Sequence, residues 1–151
     1  MIGIERQHKF TTRVSPADSS TVLHQGDVLL LDLFANRDDL RSLCQTMQLE
    51  PLHFKAAYFI DQSQELGMAE VLLPPGSKLL GKSILELAFR TRFDLNVVGL
   101  RREQVAIEEQ LVEEKLRLGD TLLVVGPWKA VRQLQSKPKD FLVLSLPAEI
   151  D

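Results

Sequence analysis

The chain reads Leu-Arg-Leu-Gly-Asp-Thr-Leu-Leu-Val over residues 116–124 and Leu-His-Gln-Gly-Asp-Val-Leu-Leu-Leu over residues 23–31. Each stretch places a Gly-Asp pair directly before a run of aliphatic residues. Glycine can take the positive φ that a turn into a buried strand often needs, and the aspartate can close that turn through its side-chain oxygens. Both stretches therefore predict a tight turn leading into a strand that is covered on both faces.

The two turns belong to a longer internal repeat. Gly-Ile-Glu-Arg at 3–6 and Gly-Leu-Arg-Arg at 99–102 precede them. A short helix with apolar residues at i, i+3 and i+4 follows each turn, at 38–44 and at 128–134. Because a strand, a turn, a second strand and a helix recur in one order, the sequence predicts two copies of one unit.

The second copy is the more complete. A strand at 69–73 ends at a Pro-Pro-Gly-Ser turn, a helix is predicted over Lys82–Arg90, and a hairpin turns at Arg101–Gln104. This alternation predicts an α/β (α+β) fold, with helices packed on a small mixed sheet in each unit. The first copy lacks the opening strand and helix. We therefore expect it to be truncated at its N-terminus, with a second chain covering the exposed edge in a homodimer. The predicted boundaries are 1–57 for the first unit, 58–67 for a linker and 68–151 for the second unit.

Composition limits the classes of function. The 151 residues carry a net charge of −3, and only 6% of them are aromatic, which argues against a nucleic-acid partner. No apolar run approaches the roughly 20 residues that span a bilayer, so the fragment itself is expected to be soluble.

No set of residues indicates an active site, and the sequence predicts no enzyme. The three histidines at 8, 24 and 53 are too far apart for a metal site, and Cys44 lies in an amphipathic helix where packing explains it. No glycine-rich phosphate loop is present. Two interpretations remain for the glutamates at 108, 109, 113 and 114: a solvated segment, or a carboxylate cluster for a divalent cation.

Arginines that follow a buried strand are the candidate ligand contacts. Arginine binds phosphate or carboxylate through two parallel hydrogen bonds. No cofactor is identified, but an effector such as a nucleotide or a small anion fits this chemistry. The alternative is that these residues are solvated surface charges. The candidate set is Arg101, Arg102, Asn96, Lys82 and Arg6.

The ordered series of short motifs resembles the TrkA C-terminal domain, also called the RCK C-terminal domain. The series begins at Glu70–Ser77, continues through Leu80–Ser83 and Phe89–Phe93, and ends at Leu118–Asp120 and Leu122–Trp128. It covers residues 69–136 well and residues 3–46 as a partial copy. Tandem copies of this kind are similar to the cytoplasmic insert of permeases of the divalent-anion/sodium symporter family.

The resemblance implies a regulatory role beside a membrane transporter of anions, potassium or other cations. It implies pairing as a homodimer and a small-molecule effector, a cyclic dinucleotide in some members. The partner would be the transmembrane part of the transporter, and the location the cytoplasmic side of the inner membrane. The alternative is a structural dimerisation module without a ligand of its own.

Overall fold

The computed structural model describes residues 2–8, 11–31, 37–52, 65–107 and 110–145. In the described part of the first half, three strands form a sheet in which the first strand lies between the other two, and a helix follows them. Its elements are β1 (Gly3–His8), β2 (Thr11–Pro16), β3 (Val28–Leu30) and α1 (Arg37–Met47).

The second half forms a five-stranded sheet in the order β6-β5-β7-β4-β8. Its strands are β4 (Leu66–Leu72), β5 (Asn96–Arg102), β6 (Val105–Ala106), β7 (Thr121–Pro127) and β8 (Leu142–Ser145). Its helices are α2 (Ile84–Leu87), α3 (Phe89–Phe93) and α4 (Trp128–Leu134), with a 3₁₀ turn at Leu111–Glu113. Every described strand pair is antiparallel. The α+β class is confirmed, with antiparallel rather than mixed sheets.

One face of the five-stranded sheet carries the main core. Residues that alternate along β4 and β7, such as Val71 and Leu122, are fully buried there beneath Val131 of α4. Alternate residues of a strand point to opposite faces, so the neighbours of these residues face the other side. Strand β3 is half-buried along its length, so the prediction that it is covered on both faces is wrong.

The predicted helix Lys82–Arg90 is broken at Ala88. Ser83 caps the first helix by accepting a hydrogen bond from the Glu86 amide at 3.1 Å, as a helix start requires. Ala88 then takes a left-handed conformation with φ of 47°. On a continuous helix, residues two positions apart project about 200° apart around the axis, so Leu87 and Phe89 would face nearly opposite sides. The break lets both Leu87 and Phe89 reach the core, where they are 2% and 3% exposed.

The two sheets meet through a second, smaller apolar cluster. Ile2 and Val14 from the first sheet are buried with Leu66 and Val125 from the second. Gly3 lies so close to Leu66 and to the Ser15 carbonyl that no side chain fits there. The predicted linker 58–67 lies mostly outside the described residues, and its last two positions belong to β4. Within the described ranges, no helix has the length and apolar character needed to cross a bilayer.

Candidate functional site

Arg102, a predicted ligand contact, is bound within the protein. Its Nε donates to Asp120 Oδ1 at 2.9 Å, and its Nη2 donates to Asp120 Oδ2 at 2.9 Å and to the Lys115 carbonyl at 2.9 Å. Its Nη1 donates to Glu114. The amide of Arg117 also donates to Asp120 Oδ2 at 2.8 Å. Asp120 is fully buried, so the two hydrogen bonds from the Arg102 guanidinium compensate its negative charge.

Arg6 contacts an aspartate and a backbone carbonyl in the same way in the first half of the chain. Its Nε donates to Asp27 Oδ1 at 2.8 Å, and its Nη2 donates to Asp27 Oδ2 at 2.6 Å and to the Val22 carbonyl at 3.0 Å. The His24 amide donates to Asp27 Oδ2 at 2.8 Å. Val22 and Lys115 both lie five residues before their aspartate. We call each arrangement an Arg–Asp clasp.

The turns and strands around the two clasps also correspond. The glycines before the aspartates, Gly26 and Gly119, have φ of 90° and 86°, as predicted. Glu5 pairs with Val28 in the first sheet, and Arg101 pairs with Thr121 in the second. In each case the residue just before the clasp arginine pairs, across the strands, with the residue just after the clasp aspartate. The clasps therefore explain why an arginine and a Gly-Asp pair recur together in the sequence.

The first clasp predicts a loss of stability in acid. Hydrogen bonds from Arg6 and from the His24 amide hold the pKa of Asp27 well below its ordinary value of about 4. A carboxylate whose pKa is lowered by folding contributes stability above its unfolded pKa, and that contribution is lost as pH falls through the lowered value. We expect stability to fall below about pH 4, and we expect Asp27→Asn to flatten that decline. Urea denaturation at several pH values between 2 and 6 measures it.

Salt provides the control for this prediction. Because the Arg6 side chain is 30% exposed, its attraction to Asp27 is screened by ions. The difference between wild type and Asp27→Asn should therefore shrink at high salt. Identical acid profiles for the two proteins at low salt would exclude a role for the clasp in acid stability.

The remaining predicted ligand residues do not form one site. Arg101 is exposed, and its Nη2 lies 3.9 Å from Oε1 of Glu70. Lys82 is exposed at the start of α2, where its carbonyl accepts a hydrogen bond from the Leu116 amide. Asn96 begins β5, and the six residue steps from it to Arg102 correspond to about 20 Å of strand. Asn96 therefore lies at the opposite end of β5 from Arg101 and Arg102.

Asn96 faces a cleft between the two sheets. The cleft has a volume of about 340 Å³, near the lower end for small-molecule sites. The first sheet and the turn that follows β2 contribute one wall. The other wall comes from β4, α3, β5 and β7. The lining residues are Ile2, Pro16, Ala17, Asp18, Leu66, Arg90, Asp94, Asn96, Gly126 and Pro127.

Arg90 is the cationic residue of this lining, and it is not among the ligand contacts predicted from the sequence. Its Nη2 donates to the Ala17 carbonyl of the opposite wall at 2.6 Å. Asp18 and Asp94 add negative charge, and hydrogen bonds from the Ser20 hydroxyl and amide lower the pKa of Asp18. A lining with a guanidinium, an amide and carboxylates suits a ligand that has both an anionic group and hydrogen-bond donors. No local pattern distinguishes Arg90 in the sequence, because its partner Ala17 lies 73 residues away in the chain.

Metal binding has little support in the part of the chain that the structure describes. No group of three or more histidine, cysteine or acidic residues comes together there. Glu114, one of the four glutamates considered as a cation site, is bound to Arg102. Residues 108 and 109 lie outside the described ranges.

Comparison with known proteins identifies the second half of the chain. Residues 68–139 match the family model of the TrkA-C domain, so this segment is a TrkA-C domain. A solved RCK_C domain dimer of S. agalactiae BusR in complex with c-di-AMP aligns with a TM-score of 0.42 and 23% identity. That alignment covers 46% of this chain and 91% of the BusR chain.

Two curated relatives are transporters. The chain is 45% identical over 150 residues to Uncharacterized transporter YfbS of Escherichia coli (strain K12), covering 99% of this chain and 25% of that protein. It is 34% identical over 130 residues to Uncharacterized transporter sll0640 of Synechocystis sp. (strain ATCC 27184 / PCC 6803 / Kazusa), covering 82% of this chain and 21% of that protein. The chain therefore spans a quarter or less of the length of these transporters.

Proposed function

We propose that this chain is a non-enzymatic regulatory module on the cytoplasmic side of a membrane transporter, and that it binds a small anionic ligand in the cleft between its two sheets. The transporter relatives support the association with a transporter. The anion permeases of the divalent-anion/sodium symporter family are the transporter class that we propose. The placement of Arg90 and Asn96 in one cleft is the observation that carries the ligand-binding part of this proposal.

A tandem architecture is part of the proposal. The two Arg–Asp clasps share their donors, their acceptors, the conformation of the glycine and the strand register. This correspondence supports two related units within residues 1–57 and 68–151. If the units are related, the cleft lies between two copies of one fold, and a ligand there contacts both.

The ligand class follows from the lining. A phosphate or carboxylate group would accept hydrogen bonds from Arg90 and Asn96, since charged acceptors bind a guanidinium more strongly than neutral acceptors do. Amino groups on the same ligand would donate to Asp18 or Asp94. A purine nucleotide has both kinds of group. Cyclic di-AMP and ATP are therefore suitable probes, with inorganic phosphate as the minimal anion.

Isothermal titration tests the proposal with matched variants. We expect Asn96→Ala to weaken binding of a nucleotide probe about tenfold, because one hydrogen bond to a charged acceptor contributes roughly 1.5 kcal/mol. Arg101→Ala is the control, since Arg101 is exposed and lies outside the cleft lining. If Asn96→Ala binds as tightly as wild type and Arg101→Ala binds more weakly, the ligand binds at the β5–β6 hairpin and not in the cleft.

The alternative function, a module that only joins transporter subunits, has one supporting observation. Leu142 and Leu144 of β8 are each 47% exposed, on the sheet face opposite the buried Phe141. Exposed leucines on a strand at a sheet edge are typical of a surface that contacts another chain. Self-association of the chain without binding of any nucleotide or anion probe would favour this alternative. Homodimer formation together with ligand binding fits the regulatory proposal.

A further inference from the structure

The helices of the second half form a layer on one face of the five-stranded sheet. Phe89 of α3 and Val131 of α4 are buried in the same cluster as Val71 of β4. Leu66 of β4 is instead buried with residues of the first sheet. Because positions 66 and 71 differ by an odd number of residues, their side chains point to opposite faces of the strand. The helical layer therefore lies on the other face of this sheet from the first three strands.

The segments of this layer are basic in a chain that is acidic as a whole. Residues 89–94 and 128–140 contain six lysines and arginines and two aspartates, which gives these two segments a charge of +4. The whole chain has a net charge of −3, so all its other residues together carry −7. With this imbalance, an anionic partner is attracted to the helical layer and not to the chain at large.

Contacts between distant segments bring several of these cations together. The Arg92 guanidinium carbon and the Lys137 ammonium each lie 5.1 Å from the centre of the Phe93 ring. The Lys78 amide donates to Asp140 Oδ1 at 3.0 Å, which joins Lys78 to the segment that follows α4. Since like charges near one ring repel each other, an anionic surface in front of them lowers that repulsion.

Two more cations extend this surface along α4. Lys129 and Arg132 are three positions apart, a spacing that places them on one side of a helix, and both are exposed. In the described part of the chain, no ion pair joins Lys129, Arg132 or Lys137 to a carboxylate. We use the name basic surface for the exposed residues Lys78, Arg92, Lys129, Arg132, Lys137 and Lys139.

We propose that the basic surface docks on the anionic lipid headgroups of a membrane. This inference rests on the proposed function, because it is the association with a transporter that places the chain beside a bilayer. Clusters of four to eight lysines and arginines are typical of surfaces that bind anionic lipids, and each cation near such a membrane strengthens binding about fivefold. Docking would hold the helical layer toward the bilayer and the first sheet away from it.

A lipid surface suits this arrangement better than a nucleic acid does. Proteins that bind single strands offer aromatic rings on which bases stack, whereas Trp128 is 7% exposed and Phe93 is half-buried among other rings. The cations come from separate segments and are held at exposed positions across a layer of helices, as contact with many headgroups at once requires. The curated transporter relatives also favour a membrane.

Co-sedimentation of the chain with lipid vesicles tests the docking. We expect binding to vesicles of equal parts phosphatidylglycerol and phosphatidylcholine, and none to vesicles of phosphatidylcholine alone. The double variant Lys129→Gln with Lys137→Gln should bind the mixed vesicles about twenty- to thirtyfold more weakly, because it removes two cations. Binding of the wild type should also weaken as the salt concentration rises.

Arg13→Gln with Arg101→Gln is the matched control. It removes the same number of cations from exposed positions on β2 and β5, outside the basic surface. This variant should bind the mixed vesicles nearly as tightly as the wild type. Fluorescence of Trp128, the single tryptophan of the chain, verifies that each variant is folded.

Three results would overturn the docking: no binding of the wild type to the mixed vesicles, equal losses in the two double variants, or binding of a DNA duplex without binding of vesicles. The cleft is tested separately, by titration of the same proteins with cyclic di-AMP or ATP. Vesicle binding without nucleotide binding would refute the ligand cleft and leave the docking in place. Nucleotide binding without vesicle binding would refute the docking alone.

Discussion

Replacing Asp120 with alanine is expected to lower the free energy of unfolding by about 3 kcal/mol, the low end for breaking a buried ion pair. Asp120 is fully buried, and the Arg102 side chain is 16% exposed. Without the carboxylate, Arg102 keeps its charge but loses two of its hydrogen-bond acceptors, and the Arg117 amide loses one as well. Urea denaturation at neutral pH measures the loss.

A double variant isolates the ion pair from other effects of the substitution. Asp120→Ala combined with Arg102→Met removes the buried carboxylate and its guanidinium together and leaves only the partly exposed Glu114 without its arginine, so it should be more stable than the sum of the single losses indicates. If the two losses simply add, the clasp contributes no coupling energy. Asp120 would then be important only for its turn.

Replacing Gly67 with alanine is expected to cost about 1–3 kcal/mol, the usual range for overpacking in a dense core. A Cβ at position 67 would lie 2.5–2.6 Å from three carbons of the Trp128 ring. That ring is rigid and 7% exposed, so it can move away only by displacing the first turn of α4. Thermal unfolding followed by Trp128 fluorescence reports both the stability and the position of the ring.

Gly99→Ala is the control for this substitution. Gly99 is also a strand glycine, and a Cβ there would meet the Leu123 side chain at an ordinary 3.4 Å. It should change stability by less than about 0.5 kcal/mol, as surface and accommodating sites do. Equal losses of stability at positions 67 and 99 would show that contact with Trp128 does not cause the loss at position 67.

The turns and strands of the fold follow closely from local sequence. Gly26 and Gly119 have the positive φ that was predicted, Asp27 and Asp120 close their turns, and α4 has the predicted bounds. These elements are predictable because glycine conformation and side-chain bonding within a few residues determine them. The two matched turns are also the strongest local sign of relatedness between the halves.

The break at Ala88 could not be predicted in the same way. Alanine is the best helix former, and no nearby glycine or proline marks the break. The tertiary structure overrides this preference because Leu87 and Phe89 must both be buried. Phe89 packs with Phe93 and with Phe141, and Phe141 lies about fifty residues later in the chain. A single sequence does not reveal that requirement.

The proposed cleft follows only in part from local sequence, because it depends on contacts between distant segments. Asn96 was selected, but the cleft also needs Pro16–Asp18, which lie about eighty residues earlier in the chain. Arg6 and Arg102 were selected as ligand contacts because their strand positions are matched. The antiparallel register instead brings each beside an aspartate, and an arginine whose partner is distant in sequence has the same local pattern as an exposed one.

Backbone amide shifts in a two-dimensional ¹⁵N–¹H spectrum, recorded during titration with cyclic di-AMP or ATP, test the ligand cleft most directly. We expect the largest changes at Ala17, Asn96 and Gly126, on both walls of the space between the sheets. Changes confined to the hairpin around Arg101 and Arg102, with the amides of the two walls unmoved, would contradict it.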